Sequence, residues 1–336
     1  MTNMHLPWFQ NKTIVVTGAA GFLGSHLVDR VLSEGAQVIG VDNFITGFAR
    51  NIEHLKDNPA FRFIKADVSQ PVADYLQSDQ VDGVFHLASP ASPPRYQANP
   101  VETYLVNSVG THSLLQYVKE FHPTARFFFA STSEVYGDPQ EHPQSETYWG
   151  HVNPNGIRAC YDEGKRLGEA ICGIHERTFN MDVRIARIFN TYGPRMDVTD
   201  GRIIPNFASQ SISSKPISIY GTGNQTRSFC YVDDLIEGFV RYFAADGLSG
   251  ETINLGNADE YTALEAAKLI WRTIHDDDSQ PVFAFESEKQ DDPVRRRPDL
   301  SKAKRLLDWE PRVTFAQGLI PTLTYFRDEL HRSLQV

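Results

Sequence analysis

Short, nearly continuous apolar runs recur along the first half of the chain. They are Thr13–Thr17 (TIVVT), Gln37–Val41 (QVIGV), Phe61–Ile64 (FRFI), Val84–Ala88 (VFHLA), Arg126–Ala130 (RFFFA) and Val183–Ile188 (VRIARI). Runs rich in β-branched and aromatic residues, without polar alternation, are what strands covered on both faces require. Between them, the stretch up to Leu32, closed by Gly35, and the segments around Val101–Phe121 and Ile157–Phe179 have helical length and spacing. The alternation predicts an α/β fold with a Rossmann-type doubly wound parallel sheet.

The second half changes character. Gly193–Asp200 and Tyr220–Thr226 are loop-rich, and Ile253–Asn257 (INLGN) reads as one more strand of the main sheet. Thr262–Ile274 is an amphipathic helix with Thr262 as its N-cap, and DLSKAKRLLDW and TFAQGLIPTLTYF are further helices. The acidic run Asp276–Asp278 reads as a solvated loop. The expected organisation is a Rossmann domain over 1–190 with a later return around 226–257. A smaller, interleaved α/β domain takes 191–225 and 258–336.

Composition narrows the class. With 41% hydrophobic residues in a chain of 336, disorder is excluded. A net charge of −10 argues against nucleic-acid and membrane-surface partners, which need a broad basic face. Cys160, Cys172 and Cys230 form neither a CxxC pair nor a zinc spacing, so no metal is expected and reduced thiols are. The opening MTNMHLPWFQNK lacks a charged-then-apolar order, and no run reaches the ~20 apolar residues of a membrane span. The expectation is a cytoplasmic protein. The negative charge leaves one question, because an anionic ligand needs a local reversal of the field.

Two motifs carry chemistry. TGAAGFLG places Gly18, Gly21 and Gly24 directly after a strand and at a helix start. There the backbone turns sharply, lets a pyrophosphate approach, and offers it free N–H groups at the positive end of the helix dipole. Asp42 closes the second strand, 18 residues after Gly24. A carboxylate there accepts from ribose hydroxyls and repels a 2′-phosphate, which favours NAD over NADP. The bland alternative is a glycine turn with a capping Asp. Asp67 and Val68 follow the third strand, where an adenine contact competes with an ordinary turn Asp.

Tyr161 and Lys165 form YxxxK on one helix face. A phenol titrates near pH ~10, and a nearby ammonium favours the phenolate. Thr132, within STSE at a strand end, supplies a hydroxyl beside the group being oxidised. YxxxK alone is common by chance; the four features in this order are jointly specific.

With these motifs the chain resembles the extended short-chain dehydrogenase/reductase superfamily, the NAD-dependent epimerase/dehydratase family, from about Lys12 to Leu330. DNFITG (Asp42–Gly47), HLASPASPPRY (His86–Tyr96), Ala130–Pro154, ACYDEGKR (Ala159–Arg166), Arg184–Met196, QTRSFCYVDDL (Gln225–Leu235) and DDPVRRRPD (Asp291–Asp299) look most like its UDP-glucuronate decarboxylase branch. The resemblance implies oxidation at carbon 4 of a UDP-sugar by NAD, with Tyr161 as base. Loss of the carboxylate, which then lies β to a ketone, and return of hydride from NADH complete the cycle. It also implies site residues. Thr132, Glu134, Tyr161, Lys165 and Arg296 would be catalytic. Gly18, Gly21, Phe22, Leu23, Gly24, Asp42, Asn43, Asp67, Val68, Leu87, Ala88 and Ser89, with Tyr161 and Lys165, would bind the cofactor. Asn190, Thr191, Arg202, Arg227 and Arg296 would bind substrate. A homodimer through a four-helix bundle, from the Val101–Phe121 and Tyr161 helices, is implied as well.

Ser133 and Glu134 sort the chemistries within the superfamily. Dehydratases carry an acidic residue where Ser133 stands, and 4-epimerases usually carry Ser where Glu134 stands. UDP-glucuronate 4-epimerisation and decarboxylation that stops at a 4-keto pentose are the nearest alternatives, and 4,6-dehydration is the more distant one. A non-enzymatic NAD sensor is disfavoured by the intact YxxxK and Thr132. One departure stands out: Glu102 occupies a position where relatives carry Lys, with Arg95 near enough in sequence to compensate. Asn155 and Ile157 also replace usual residues.

Overall fold

The computed structural model describes residues 5–76, 80–275, 279–287 and 295–333; the run Asp276–Asp278 and the first part of DDPVRRRPD lie outside them. The apolar runs become β1 (Thr13–Thr17), β2 (Gln37–Asp42), β3 (Phe61–Lys65), β4 (Gly83–His86), β5 (Arg126–Thr132) and β6 (Val183–Ile188). Four short strands follow: β7 (Thr191–Tyr192), β8 (Ile217–Tyr220), β9 (Thr226–Ser228) and β10 (Cys230–Tyr231). Then β11 (Thr252–Leu255) returns beside β6, completing a parallel sheet of order β11-β6-β5-β4-β1-β2-β3.

Both faces of this sheet are buried, which explains the unbroken apolar runs. Along β5, Phe127 and Phe129 enter one core cluster and Phe128 the other; along β1, Val15 faces one and Ile14 and Val16 the other. The cluster that Phe128 enters contains an aromatic stack of Phe85 on Phe243, ring centroids 4.0 Å apart.

The helices are α1 (Phe22–Ser33), α2 (Pro93–Ala98), α3 (Pro100–Leu105), α4 (Thr111–Phe121), α5 (Ala159–Phe179), α6 (Ile203–Ile212), α7 (Val232–Ala244), α8 (Ala263–His275), α9 (Ser301–Leu307) and α10 (Phe315–Ser333). The segment read as one helix over Val101–Phe121 is divided by a π-helical turn, Val106–Gly110. Gly110 sits there against the backbone of Val68. Thr262 caps α8 as its sequence suggests: its Oγ1 accepts from Glu265 N at 3.1 Å, and Glu265 Oε2 accepts from Thr262 N at 2.8 Å.

Outside the main sheet, β8 pairs with β13 (Phe283–Glu286), and β9 lies between β12 (Glu260–Thr262) and β14 (Arg295–Arg296). The parallel register of β9 and β14 sets Arg296 beside Arg227. Neighbours in such a pair point to one face, so two guanidiniums are brought side by side.

The C-terminal segment is anchored to α7 by Asp234. Its Oδ2 accepts from Val313 N at 2.7 Å and Arg312 N at 2.9 Å, while Trp309 Nε1 donates to its carbonyl. Asp234→Ala strands two backbone donors, so it is expected to cost about 2 kcal/mol of stability, read from urea unfolding. An unchanged urea midpoint would show that water satisfies these donors.

Candidate functional site

The glycine turn can close only with glycine. Gly18 has φ +73°, and a Cβ on Gly24 would stand 2.0 Å from the Gly18 carbonyl oxygen. Gly18 N donates to Val41 O at 2.8 Å and Gly21 N to Gly18 O at 3.0 Å. Helix α1 begins at once, with no side-chain cap and no acidic residue in its first turn, so the first-turn N–H groups are left for an external acceptor. The turn is held from below by Thr17, whose hydroxyl pairs with His86 Nδ1 at 2.8 Å and accepts from Ala88 N at 3.2 Å.

Asp42, at the C-terminal end of β2, takes Ala20 N on Oδ2 at 3.0 Å and Phe44 N on Oδ1 at 2.7 Å. Burial raises its pKa against the pull of these backbone donors. Asp67 forms the turn its sequence allowed and also reaches the cavity. It closes a turn, accepting from Ser69 N at 2.9 Å and from the Ser69 hydroxyl, and it lines the same cavity as Val68.

Thr132 ends β5 and caps the next turn, its hydroxyl accepting from Glu134 N at 3.2 Å. Tyr161, on the first turn of α5, is hydrogen-bonded to Thr132 and stacks on Tyr96 with ring centroids 5.0 Å apart and planes within 3°. Lys165 lies one turn on, where Nζ donates to Ala130 O at 2.7 Å and stands 5.9 Å from the Tyr161 ring centroid.

The electrostatics here differ from the sequence expectation. Burial pushes the Tyr161 phenol up to about 12, with the Thr132 hydrogen bond and the charge of Arg202 pulling down. Burial likewise lowers Lys165 to about 7. Lys165 therefore does not by itself favour a phenolate: its ammonium is desolvated and turned to a backbone carbonyl.

Glu134 is the carboxylate of the site held by two arginines. Arg296 meets it with two nitrogens, Nη2 to Oε2 at 2.9 Å and Nη1 to Oε1, and Arg158 adds Nη2 to Oε2. Burial disfavours its charge, but Arg296 and then Arg158 outweigh that and hold the carboxyl below its ordinary value. Arg227 contributes in the same direction, so Glu134 also relieves the side-by-side arginines of β9 and β14.

Every candidate catalytic, cofactor-binding and substrate-binding residue named from sequence lines one cavity of about 550 Å³ along the C-terminal ends of the strands. Its cationic side chains (Arg95, Arg158, Lys165, Arg195, Arg202, Arg227, Arg296) slightly outnumber its carboxylates (Asp42, Asp67, Glu102, Glu134, Asp197, Asp200). The lining thus carries about as many cationic as anionic groups, in contrast to the −10 of the whole chain.

Several side chains are committed internally. Arg202 pairs with Asp200 at 2.5 Å and Thr191 Oγ1 donates to Phe189 O at 2.9 Å, while Asn190 is held through its backbone, whose carbonyl accepts from Cys230 N at 2.9 Å. Arg95 is bound to Asp197 and Thr199, so it does not offset Glu102, which sits exposed at the cavity rim. Ile157, read as a minor departure, also reaches the cavity. Arg158, Tyr96 and Asp162 are missing from the sequence reading. Only spacing hinted at two of them: Arg158 and Asp162 are four apart, on the helix face that carries Lys165.

Comparison with known proteins follows the same line. A family model described as GDP-mannose 4,6 dehydratase matches residues 15–322. UDP-glucuronic acid decarboxylase 4 of Arabidopsis thaliana is 49% identical over 317 residues, 94% of this chain and 69% of that protein. UDP-glucuronic acid decarboxylase 1 of Xenopus tropicalis is 49% identical over 95% of this chain and 73% of its own length. Among solved structures, UDP-glucuronic acid 4-epimerase from Bacillus cereus in complex with UDP-glucuronic acid and NAD superposes with TM-score 0.82 at 29% identity, covering 94% and 99% of the two chains. DesIV, a dTDP-glucose 4,6-dehydratase from Streptomyces venezuelae with NAD and TYD bound, gives 0.85 at 27% identity, covering 95% and 98%.

The depressed Lys165 has a thermodynamic consequence. Folded protein binds this proton less tightly than the unfolded chain, so the penalty is full below about pH 7 and fades as pH climbs toward 10.5. Without ligands, Lys165→Met is expected to melt higher than the parent near pH 6.5 and to lose that lead near pH 10. An equal difference at both pH values would exclude burial of the ammonium as its source.

Proposed function

The chain belongs to the extended short-chain dehydrogenase/reductase family, among the relatives named UDP-glucuronic acid decarboxylase, and from that premise we propose that it decarboxylates UDP-glucuronate to UDP-xylose with recycled NAD. The observation that carries the reading is Glu134, ionised between Arg158 and Arg296, with the neutral Ser133 beside it. Two guanidiniums on one carboxylate leave an excess of positive charge for a sugar carboxylate nearby, and no strong acid occupies position 133 to expel a hydroxyl as a dehydratase would.

The residues present fit a dinucleotide. The uncapped start of α1 with the Gly18–Gly24 turn suits the pyrophosphate, and Asp42 and Asn43 suit the adenosine ribose. Asp67 and Val68 would flank adenine, Leu87, Ala88 and Ser89 the nicotinamide half, and Lys165 the second ribose. When bound, NAD supplies the redox step at carbon 4 of the sugar. Residues 1–190 with the return around 226–257 carry this half of the cleft; 191–225 and 258–336 hold the sugar nucleotide.

Tyr161 takes the proton of the 4-hydroxyl, with Thr132 bridging phenol and substrate. At about 12 it is a poor base in the free protein, so its proton affinity must fall on loading; Thr132 and Arg202 already act in that direction. Arg296 orients the sugar near its carboxylate, and Glu134 acts at carbon 5 through a water. Arg227 binds the diphosphate, with Asn190, Thr191 and Arg202 around the sugar nucleotide.

Two copies pair through α4 and α5 as a four-helix bundle. Val109 and Phe121 on one side, Leu167, Ile174 and Phe179 on the other, leave apolar surface exposed. All three cysteines are unpaired, in keeping with a reducing cytoplasm, and no described helix is long and apolar enough to cross a membrane. Sedimentation equilibrium is expected to read twice 37.9 kDa; a particle of that single mass removes the dimer.

The activity is tested by proton NMR of purified protein with NAD and UDP-glucuronate, where UDP-xylose should grow as carbon dioxide is released. UDP-galacturonate would indicate epimerisation instead, and a 4-keto pentose with stoichiometric NADH an oxidative decarboxylase. Tyr161→Phe is expected to slow turnover about 10²–10⁴-fold; near-normal rates would remove Tyr161 from the mechanism.

A further inference from the structure

Asp162 follows Tyr161 directly, yet it does not line the cavity. Its carboxylate is buried, with Oδ2 3.7 Å from Arg158 Nε and Oδ1 without a hydrogen-bond partner. The other end of the Arg158 guanidinium is bonded to Glu134. One cation therefore stands between two carboxylates, and Glu134 is directly bonded to a second, Arg296.

We propose that Asp162 is a positioning residue for the reaction: by sharing Arg158 with Glu134, it sets how much of that cation's charge Glu134 receives, and so how readily Tyr161 gives up its proton. The inference rests on the decarboxylase reading above and deepens it.

The charged and titratable groups around Asp162 come from four elements. On α5 and its N-cap they are Arg158, Cys160, Tyr161 and Glu163; after β5, Glu134; from β14, Arg296; and from α2, Tyr96. Burial and then the Glu134 charge raise the Asp162 carboxyl well above the usual range, more than Arg158 and Arg296 lower it. Two carboxylates on one shared guanidinium behave as a pair: with Glu134 ionised, Asp162 holds the proton. In that state Arg158 need not compensate a charge on Asp162. When Asp162 ionises, it draws on Arg158 and adds a negative charge beside Tyr161, which holds the phenol proton more tightly.

Because the folded protein binds the Asp162 proton more tightly than the unfolded chain, its contribution to stability is full near pH 4 and is lost as pH rises through the elevated folded value. Asp162→Asn keeps the shape and the neutral state at every pH.

The test compares parent and Asp162→Asn from about pH 6 to about pH 9.5. Melting temperature without substrate is one readout, and kcat and KM for UDP-glucuronate in the NAD-loaded enzyme are the other. The variant should gain on the parent in melting temperature as pH rises, and its kcat relative to the parent should climb about threefold or more, with KM unchanged. A pH-independent difference in melting overturns the shared proton. A melting gain with a flat kcat ratio overturns the positioning role, since Asp162 would then titrate without acting on the site. A parent that makes no UDP-xylose sinks the decarboxylase reading instead, while the melting comparison still decides whether the proton is shared. Should Asp162→Asn not fold, Arg158→Lys keeps the charge but loses the fork that reaches both carboxylates; it should move the alkaline limb of kcat, and an unmoved limb overturns the inference.

Discussion

The site depends on one buried carboxylate held between two arginines. Glu134 stands after the end of β5, Arg158 just ahead of α5, and Arg296 in β14, so the pairing joins the central sheet, the Tyr161 helix and the C-terminal segment at one point. An unpaired carboxylate there would be costly, and so would either arginine alone. Together they form a rigid, charged floor, and the turn that presents Glu134 is fixed by Thr132, a group the proposed chemistry also uses.

Burial competes with charge throughout the cavity, and the outcome differs from residue to residue. For Glu134 two close guanidiniums win, and the carboxylate stays ionised. For Tyr161 and Lys165 burial wins, and both drift toward their neutral forms. The free protein thus holds its phenol protonated and weakens the charge on the neighbouring lysine. The oxidation at carbon 4 proposed above would need that balance to tip on ligand binding, tying reactivity to occupancy. The chain's overall negative charge does not oppose an anionic ligand at the cavity, because the arginines converge inside it while many acids lie elsewhere.

Much of this was legible in advance, for identifiable reasons. The strands announced themselves because both faces of a parallel sheet are buried, as the division of Phe127 and Phe129 from Phe128 illustrates. The glycine turn was legible because its steric demand is absolute: a Cβ on Gly24 has nowhere to go. Thr262 with Glu265 is a local cap, readable from four residues. The π turn at Val106–Gly110 was not legible, since no local signal separates it from the helices on either side. Nor was the direction of the Tyr161 and Lys165 shifts, which depends on how many neighbours exclude water.

The sequence by itself therefore determined the order of strands and helices, the nucleotide-type turn, the strand-end Asp42 and the Tyr161–Lys165 face, because each follows from sterics or periodicity within a few residues. Tertiary structure alone decided which charges meet. Glu134 and Arg296 are 162 residues apart, Arg227 and Arg296 become neighbours only through strand register, and Arg95 is claimed by Asp197 rather than Glu102. Ion pairing of this kind carries no sequence period, because it depends on where long, flexible side chains converge after the core has packed.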